Sequence, residues 1–252
     1  MIIDLPQDKD YGALRRLMRD TFCESESFLD SFYSFAYRKE RCRAAFIEDE
    51  PVSALYWFDC EYSGLRAAYL YAIATDERHR GKGIASELIR STTEQLRALG
   101  YDSVILVPAG SSLFGFYERL GFTRATTINE FSAVASEEGM PLREISSLDY
   151  MRARRDYLPD GGVIEDESVF SLLDDAKFYT GEGVILATRY TDSYSRCIEL
   201  LGDSSTAPAV LASLGCKVGL FRTHGHGRDF AMYMPLSANA TAPTYFGVAL
   251  DI

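Results

Sequence analysis

Hydrophobic positions in the first half of the chain change from compact runs to a helical spacing and back. Residues 69–73 are apolar throughout, which is typical of a buried strand. From residue 84 to residue 99 apolar side chains recur at helical spacing, with charged residues on the opposite face, and Gly100 supplies a stop signal. A second apolar run covers residues 103–107. This order predicts two neighbouring strands joined by a crossover helix.

The same pattern predicts the remaining elements. In the first half we expect helices over residues 11–21 and 25–37, a hairpin of strands 43–48 and 52–62, and a closing pair of strands, 123–127 and 130–134. In the second half we expect helices over residues 142–157, 165–179 and 205–214, and strands over 183–190, 194–201, 217–223, 229–235 and 245–250. Residues 136–141 look like a linker. We therefore expect two domains, residues 1–135 and 136–252.

The loop between the first strand and its helix has the composition of a phosphate site. Gly81 and Gly83 allow the backbone to approach a ligand without interference from a Cβ atom. Arg80 and Lys82 add positive charge. The first turn of the helix presents unpaired N–H groups at the positive end of its dipole. We predict that residues 80–86, called the cradle below, hold a pyrophosphate.

Three glycine-rich motifs compete for this loop. A P-loop needs a spacing that the segment lacks, and a dinucleotide fingerprint needs a third Gly or Ala at the position where Ser86 stands. The third pattern, Arg/Gln-x-x-Gly-x-Gly/Ala, is met by Arg80, Gly83 and Ala85. With it the sequence resembles the GNAT superfamily (GCN5-related, acetyl-CoA-dependent N-acetyltransferases). Downstream, residues 113–122 are similar to a Phe-Tyr-Glu-Lys-Leu-Gly-Phe helix of that family.

The resemblance implies a GNAT fold. This is an α/β architecture (α+β, with a mixed sheet) whose central sheet splays apart. Pantetheine would lie between the splayed strands, bonded to the backbone of Ile73, Ala74 and Thr75. Tyr117 matches the tyrosine that protonates the departing thiolate of CoA. The pyrophosphate would be bound by backbone amides of the cradle: Arg80, Gly81, Lys82, Gly83, Ile84, Ala85 and Ser86.

The second half repeats the order of elements and is expected to be a second α/β domain, a degenerate GNAT-like half. At the place of the cradle it has residues 202–209, which lack the basic residue and the paired glycines. Asp203 would repel phosphate. We expect this half to bind no acetyl-CoA and to shape the acceptor cleft.

The base that deprotonates the amine is left open. Asp59 and Glu61 lie near the end of a predicted strand, and the terminal carboxylate of Ile252 or a water chain would serve as well.

Composition and charge restrict the partners. The formal net charge of −11 argues against nucleic acid and slightly favours a cationic acceptor. No apolar run is long enough for a membrane span, and the first residues lack the features of a secretory signal. Five scattered cysteines fit a reducing cytoplasm. His224 and His226 have no further ligand at a familiar spacing, so we expect no metal.

These observations favour an N-acetyltransferase that moves an acetyl group from acetyl-CoA, its co-substrate, to a primary amine of a small molecule or peptide. A catalytically silent acyl-CoA sensor is the alternative, and transfer of a longer acyl group is a third. Whether the protein forms a homodimer is left open.

Overall fold

A computed structural model of the chain describes residues 1–173, 175–191, 193–248 and 250. The strands are β1 (Ile2–Asp4), β2 (Cys42–Ile47), β3 (Glu50–Tyr62), β4 (Leu65–Thr75), β5 (Ser103–Leu106), β6 (Thr123–Arg124), β7 (Thr127–Val134), β8 (Leu142–Ile145), β9 (Ile164–Glu165), β10 (Lys177–Gly181), β11 (Val184–Tyr190), β12 (Tyr194–Gly202), β13 (Val218–His224), β14 (Arg228–Asp229) and β15 (Met232–Pro235). The α-helices are α1 (Tyr11–Phe22), α2 (Glu26–Ser31), α3 (Ile84–Ala98), α4 (Phe114–Glu118), α5 (Ser147–Arg154), α6 (Glu167–Ser171) and α7 (Ala207–Leu214).

The chain forms two compact units, and the first is discontinuous. It contains Met1–Thr123 and receives Met232–Ala242 and residue 250 from the far end of the chain. The second contains Arg124–Ala231 and residues 243–248. This division differs from the predicted boundary after residue 135, because β7 pairs with β13 of the second unit.

A mixed sheet with the order β1-β2-β3-β4-β5-β15 is the framework of the first unit. Neighbours are antiparallel except β4 and β5, which are parallel and are joined by α3 as predicted. Helix α3 buries Leu88, Ile89 and Leu96 in one cluster with Leu55 and Trp57 of β3. Full burial of such a side chain contributes roughly 1.5–3 kcal/mol, so the helix is firmly anchored to the sheet.

The predicted closing pair of strands in the first half is wrong. Residues 123–127 and 130–134 do not form a hairpin; β7 runs from residue 127 to 134 and joins the second unit. The predicted strand 229–235 is likewise two strands, since β14 pairs with β7 and β15 pairs with β5. Alternating polarity identifies a strand, but it does not identify the strand's partner.

The second unit repeats the pairing order of the first. Strands β8, β10, β11 and β12 are antiparallel neighbours, β12 and β13 are parallel and joined by α7, and β7 closes the row as an antiparallel strand. The core lies between this sheet and α7, where Val210 and Leu211 pack on Phe221.

Two predicted helices of the second unit are shorter than expected. The segment 142–157 begins with β8, and α5 starts only after Ser146, whose hydroxyl accepts the N–H of Asp149 at 3.1 Å. The segment 165–179 contains α6 and then β10. The predicted strand 245–250 contributes one isolated bridge, at Tyr245, and residue 249 lies outside the described residues.

Candidate active site

The pairing of the parallel neighbours β4 and β5 ends well before β4 does. Their pairing covers three residues of β4 and ends at Tyr69, opposite Ile105. Strand β4 continues to Thr75 and, among the described residues, has no partner on β5 beyond Tyr69. An unpaired strand edge is a template for an extended ligand, which can add to it as a further strand. This unpaired edge of β4 lies where the expected splay of the sheet would begin.

A β-bulge lies in the part of β4 that has no partner on β5. Ala72 has a φ of 48°, in the left-handed region that alanine rarely adopts, and the register with β3 shifts between Ala54 and Tyr56. A bulge adds an unpaired residue to one strand, bends it and increases its twist. Left-handed conformation costs a non-glycine residue about 1–2 kcal/mol, which is a sign of a functional constraint at this position.

The turn after β4 is held by one aspartate. An Asp76 side-chain oxygen accepts the N–H of Arg78 at 2.9 Å, and the guanidinium of Arg78 bonds the same carboxylate. These hydrogen bonds from Arg78 are the main reason that the pKa of Asp76 is lowered to about 2. Asp76 is therefore ionised at neutral pH, and its hydrogen bonds with Arg78 stabilise the turn that precedes the cradle.

The two cradle glycines have the conformation that the sequence predicts. Gly81 and Gly83 have φ angles of 74° and 79°, and no heavy atom lies within 4 Å of the position where either would carry a Cβ atom. Gly83 is the N-cap of α3 and supplies no side-chain cap, so no capping side chain satisfies the amides of the first turn. The side chain of Ile84 is buried against Ala45 and Val52. Its possible contribution to a ligand is its backbone N–H.

The two basic residues of the cradle are exposed and partly tethered. The Nε–H of Arg80 donates to the carbonyl oxygen of Thr75 at 3.0 Å, and Nζ of Lys82 donates to the carbonyl oxygen of Arg78 at 2.9 Å. Among the described residues the terminal nitrogens of Arg80 have no partner. This arrangement keeps both charges beside the helix start and leaves a guanidinium fork for a phosphate.

A supporting residue that the sequence analysis did not single out is Ser53 on β3. It is fully buried; its hydroxyl donates to the carbonyl oxygen of Ala74 at 2.7 Å and lies 2.9 Å from the hydroxyl of Thr75. Ser53 is the one polar residue in the apolar run 52–58, and that interruption was an available signal. Carbonyl oxygens have two lone pairs, so the backbone of residues 73–75 can still accept from a ligand.

Tyr117 lies on α4 inside the core of the first unit, with 8% of its surface exposed. Its ring makes edge contacts with Phe116 and Phe122, at centroid distances of 5.0 and 5.8 Å. Ile73 of β4 packs against the same large hydrophobic cluster that contains Tyr117. Burial raises the pKa of Tyr117 to about 12, which keeps the phenol protonated at neutral pH.

The candidate bases do not come to this site. Asp59 is opposite Ala68 on β4, seven residues before Thr75, which is roughly 20 Å along the strand. Its carboxylate accepts a hydrogen bond from the hydroxyl of Tyr101 and another, of 2.7 Å, from the guanidinium of Arg41. These bonds stabilise the sheet. Glu61 is further away still, opposite Arg66. The carboxylate of Ile252 lies outside the described residues.

Metal binding and membrane insertion were also considered in the sequence analysis, and the structure allows both to be checked in the described residues. No group of three His, Cys, Asp or Glu side chains that could hold a metal ion occurs in the described part of the chain. Within the same residues, no helix is both long and apolar enough to cross a membrane.

Comparison with known proteins shows which family the part of the chain that contains the cradle resembles. Residues 3–125 match the family model described as the acetyltransferase (GNAT) domain. Over 73 residues the chain is 32% identical to the mouse (Mus musculus) protein named Probable N-acetyltransferase family 8 member 5. That match covers 28% of this chain and 32% of the mouse protein, so it spans about a third of the relative's length.

Solved structures resemble the chain over almost all of its length. A GCN5-related N-acetyltransferase from Kribbella flavida superposes with a TM-score of 0.70 at 18% identity, covering 94% of this chain and 72% of its own. A GCN5-related N-acetyltransferase from Anabaena variabilis gives 0.74 at 14% identity, with 94% and 73% covered. At this level of identity the likeness shows that the fold is shared.

Proposed function

We propose that this chain, whose residues 3–125 match the model of the GNAT acetyltransferase domain, transfers the acetyl group of acetyl-CoA directly to a primary amine of a small molecule or peptide. The observation that carries the proposal is the coincidence of two features at one end of β4. Beyond Tyr69 the strand has no β5 partner among the described residues, and six residues after its end at Thr75 the open glycine turn begins at Gly81 and leads into the 15-residue helix α3.

The residues present fit a CoA molecule. The exposed edge of residues 73–75 would hydrogen-bond the pantetheine amides as a short added strand. The amides of residues 80–86, with Arg80 and Lys82, would hold the diphosphate, because an anion is stabilised at a helix N-terminus. Acetyl-CoA would supply the acetyl group as an activated thioester. A Cβ atom on either glycine would project into the space that the diphosphate needs.

Each group of the chain has a defined task in the transfer. The nitrogen of the acceptor attacks the thioester carbonyl carbon, the C–S bond breaks, the amine loses one proton and the sulfur gains one. A backbone N–H of residues 73–75 would polarise the carbonyl as negative charge develops on its oxygen. Holding amine and thioester in one cleft contributes through proximity and orientation.

Tyr117 is proposed to stabilise the departing thiolate. A phenol with a pKa of about 12 is a weaker acid than an ordinary thiol, whose pKa is about 8.5. It therefore donates a hydrogen bond to the developing thiolate more readily than it gives up its proton completely. General acids of this kind contribute roughly 10²–10⁴-fold, and the raised pKa places Tyr117 at the lower end of that range.

The silent acyl-CoA sensor is kept as the second candidate because Tyr117 also has the surroundings of a core aromatic residue. Thiol release from acetyl-CoA, followed with a panel of amines, separates the two. An enzyme releases thiol in an acceptor-dependent way, and Tyr117→Phe lowers kcat by about 100-fold with the Kd for CoA unchanged. The control is Tyr233→Phe, which removes another buried hydroxyl and should leave kcat unchanged.

Binding of acetyl-CoA without thiol release from any amine would favour the sensor. Equal kcat values for Tyr117→Phe and the native chain would remove Tyr117 from the reaction.

A further inference from the structure

A short chain of hydrogen bonds joins β3 to the end of β4. Ser53 is fully buried, and its hydroxyl donates to the carbonyl oxygen of Ala74 at 2.7 Å. The hydroxyl oxygens of Ser53 and Thr75 lie 2.9 Å apart. A serine hydroxyl has one proton, which Ser53 gives to Ala74, so Thr75 is the donor in this pair. The chain therefore runs from the hydroxyl of Thr75 through Ser53 to the carbonyl oxygen of Ala74.

The pairing of β3 with β4 fixes the direction in which the backbone of Thr75 points. Ser53 lies opposite Thr75 in the register. The next residue, Asp76, donates its N–H to the carbonyl oxygen of Val52 at 2.9 Å. In an antiparallel pair such hydrogen-bonded positions alternate with positions that have no bond across, and Thr75 occupies the second kind. Its N–H and C=O therefore point away from β3, and the Nε–H of Arg80 meets this carbonyl oxygen at 3.0 Å.

Ser53 acts on Thr75 through the peptide group that Ala74 and Thr75 share. The C=O and N–H of a trans peptide point in opposite directions. The carbonyl of Ala74 faces Ser53, so the N–H of Thr75 faces the edge of β4 that has no β5 partner among the described residues. A hydrogen bond to the carbonyl oxygen polarises the peptide and makes its N–H a stronger donor. The same bond holds the plane of this peptide close to the left-handed backbone of Ala72.

We propose that Ser53 is a positioning residue for the cofactor: it holds the peptide between Ala74 and Thr75 so that the N–H of Thr75 donates to an amide carbonyl of pantetheine. The proposal rests on the proposed function and names one N–H among residues 73–75. Pantetheine has two amide groups, and their carbonyl oxygens accept such a bond as a neighbouring strand would. Because Ser53 is fully buried, it acts through this peptide and not by contact with the ligand.

Calorimetric titration of the full-length chain tests the assignment with CoA and with 3′-phosphoadenosine 5′-diphosphate, the part of CoA that lacks pantetheine. The Kd of this fragment is obtained by displacement, from titrations of CoA in its presence. Ser53→Ala should raise the Kd for CoA by about three- to tenfold, the contribution of one hydrogen bond. It should leave the Kd for the fragment unchanged, because the fragment lies on the cradle alone. A general loss of structure would not separate the two ligands in this way.

Ser103→Ala is the matched control. Ser103 is also fully buried on a strand of the same sheet, and its hydroxyl lies 2.9 Å from that of Tyr62. It is opposite Ala67, near the other end of β4 from Thr75. This variant should lower the melting temperature as Ser53→Ala does, and it should bind both ligands like the native chain.

Three results would overturn the proposal and leave Ser53 a structural residue. They are a native Kd for CoA in Ser53→Ala, equal weakening of CoA binding by Ser53→Ala and Ser103→Ala, and weakening of CoA and fragment by the same factor in Ser53→Ala. Each leaves the proposed acetyl transfer standing, because CoA binding to the native chain is measured in the same series. Failure of the native chain to bind CoA would instead count against the proposed function.

Discussion

At the scale of single residues, the surroundings of a buried polar group separate structural from functional roles. The hydroxyl of Tyr62 lies 2.9 Å from that of Ser103 and donates to the carbonyl oxygen of Thr241 at 2.7 Å, so its bonding capacity is used inside the fold. Tyr71 and Tyr117 have no such partners among the described residues. The bonding capacity of both hydroxyls is therefore unused in the described part of the fold, and both residues lie in the first unit.

The second unit contains the opposite case, a buried charge network that the chain satisfies by itself. Arg154 donates to Glu199 and to Glu165, each at 2.6 Å, and Glu199 also accepts from Tyr150 and Tyr245 at 2.6 and 2.9 Å. Two carboxylates share one guanidinium, so one negative charge is in excess when both are ionised. Burial is the main cause that raises the pKa of Glu165 to about 7.

This network predicts how the free energy of unfolding changes with pH. The folded state holds a proton on Glu165 up to about pH 7, whereas the unfolded chain releases it near the ordinary value of 4.5. The stabilisation is complete below about pH 4.5 and is lost as the pH rises through 7, by up to about 3 kcal/mol. Urea denaturation at pH 5 and pH 8 should show this loss in the native chain and a smaller one in Glu165→Gln. A Glu165→Gln profile identical to the native profile would show that this residue stays ionised throughout.

At the scale of elements, the sequence predicted those whose pattern is long and whose ends carry signals. Helix α3 was expected from residue 84 to residue 99 and ends at Ala98, since its apolar face extends over four turns. The bulge at Ala72 could not be predicted, because alanine has no preference for positive φ. The start of α5 was misplaced because the four residues of β8 are too few to distinguish alternation from helical spacing.

The cradle also depends on backbone conformation, and two glycines allow a matched test. Gly83 and Gly100 have φ angles of 79° and 78°, and both have open space where a Cβ atom would lie, but Gly100 follows the far end of α3. Each Gly→Ala change should cost about 1 kcal/mol of stability through the left-handed conformation. Gly83→Ala alone should raise the calorimetric Kd for CoA, by at least about tenfold. If both variants bind CoA equally well, the diphosphate does not lie on the cradle.

At the scale of the whole molecule, two units share one order of strand pairing and differ at the place of the cradle. In the second unit the parallel strands β12 and β13 pair from Tyr194 to Cys197 and again at Leu200, opposite Thr223, with a register shift between Cys197 and Leu200. A Cβ atom at Gly202 would strike the carbonyl oxygen of Gly183. These contacts support the prediction that the second half binds no acetyl-CoA and is a degenerate GNAT-like half.

Asp203 completes this contrast and gives a prediction. Its side chain accepts the N–H of Ser205 at 2.9 Å, so a carboxylate already occupies the turn that leads into α7. Asp203→Ala should cost about 1 kcal/mol of stability, as the loss of a cap does, and leave the Kd for CoA unchanged in calorimetry. A large loss of CoA affinity would place the ligand in the second unit.

Hydrogen–deuterium exchange of the full-length chain, with and without CoA, tests the central claim most directly, because it locates the ligand on the backbone. We predict that CoA slows exchange of the amides in residues 73–75 and 80–86 and leaves residues 202–209 unchanged. Unchanged exchange across the cradle in the presence of bound CoA, or protection confined to residues 202–209, would contradict the account.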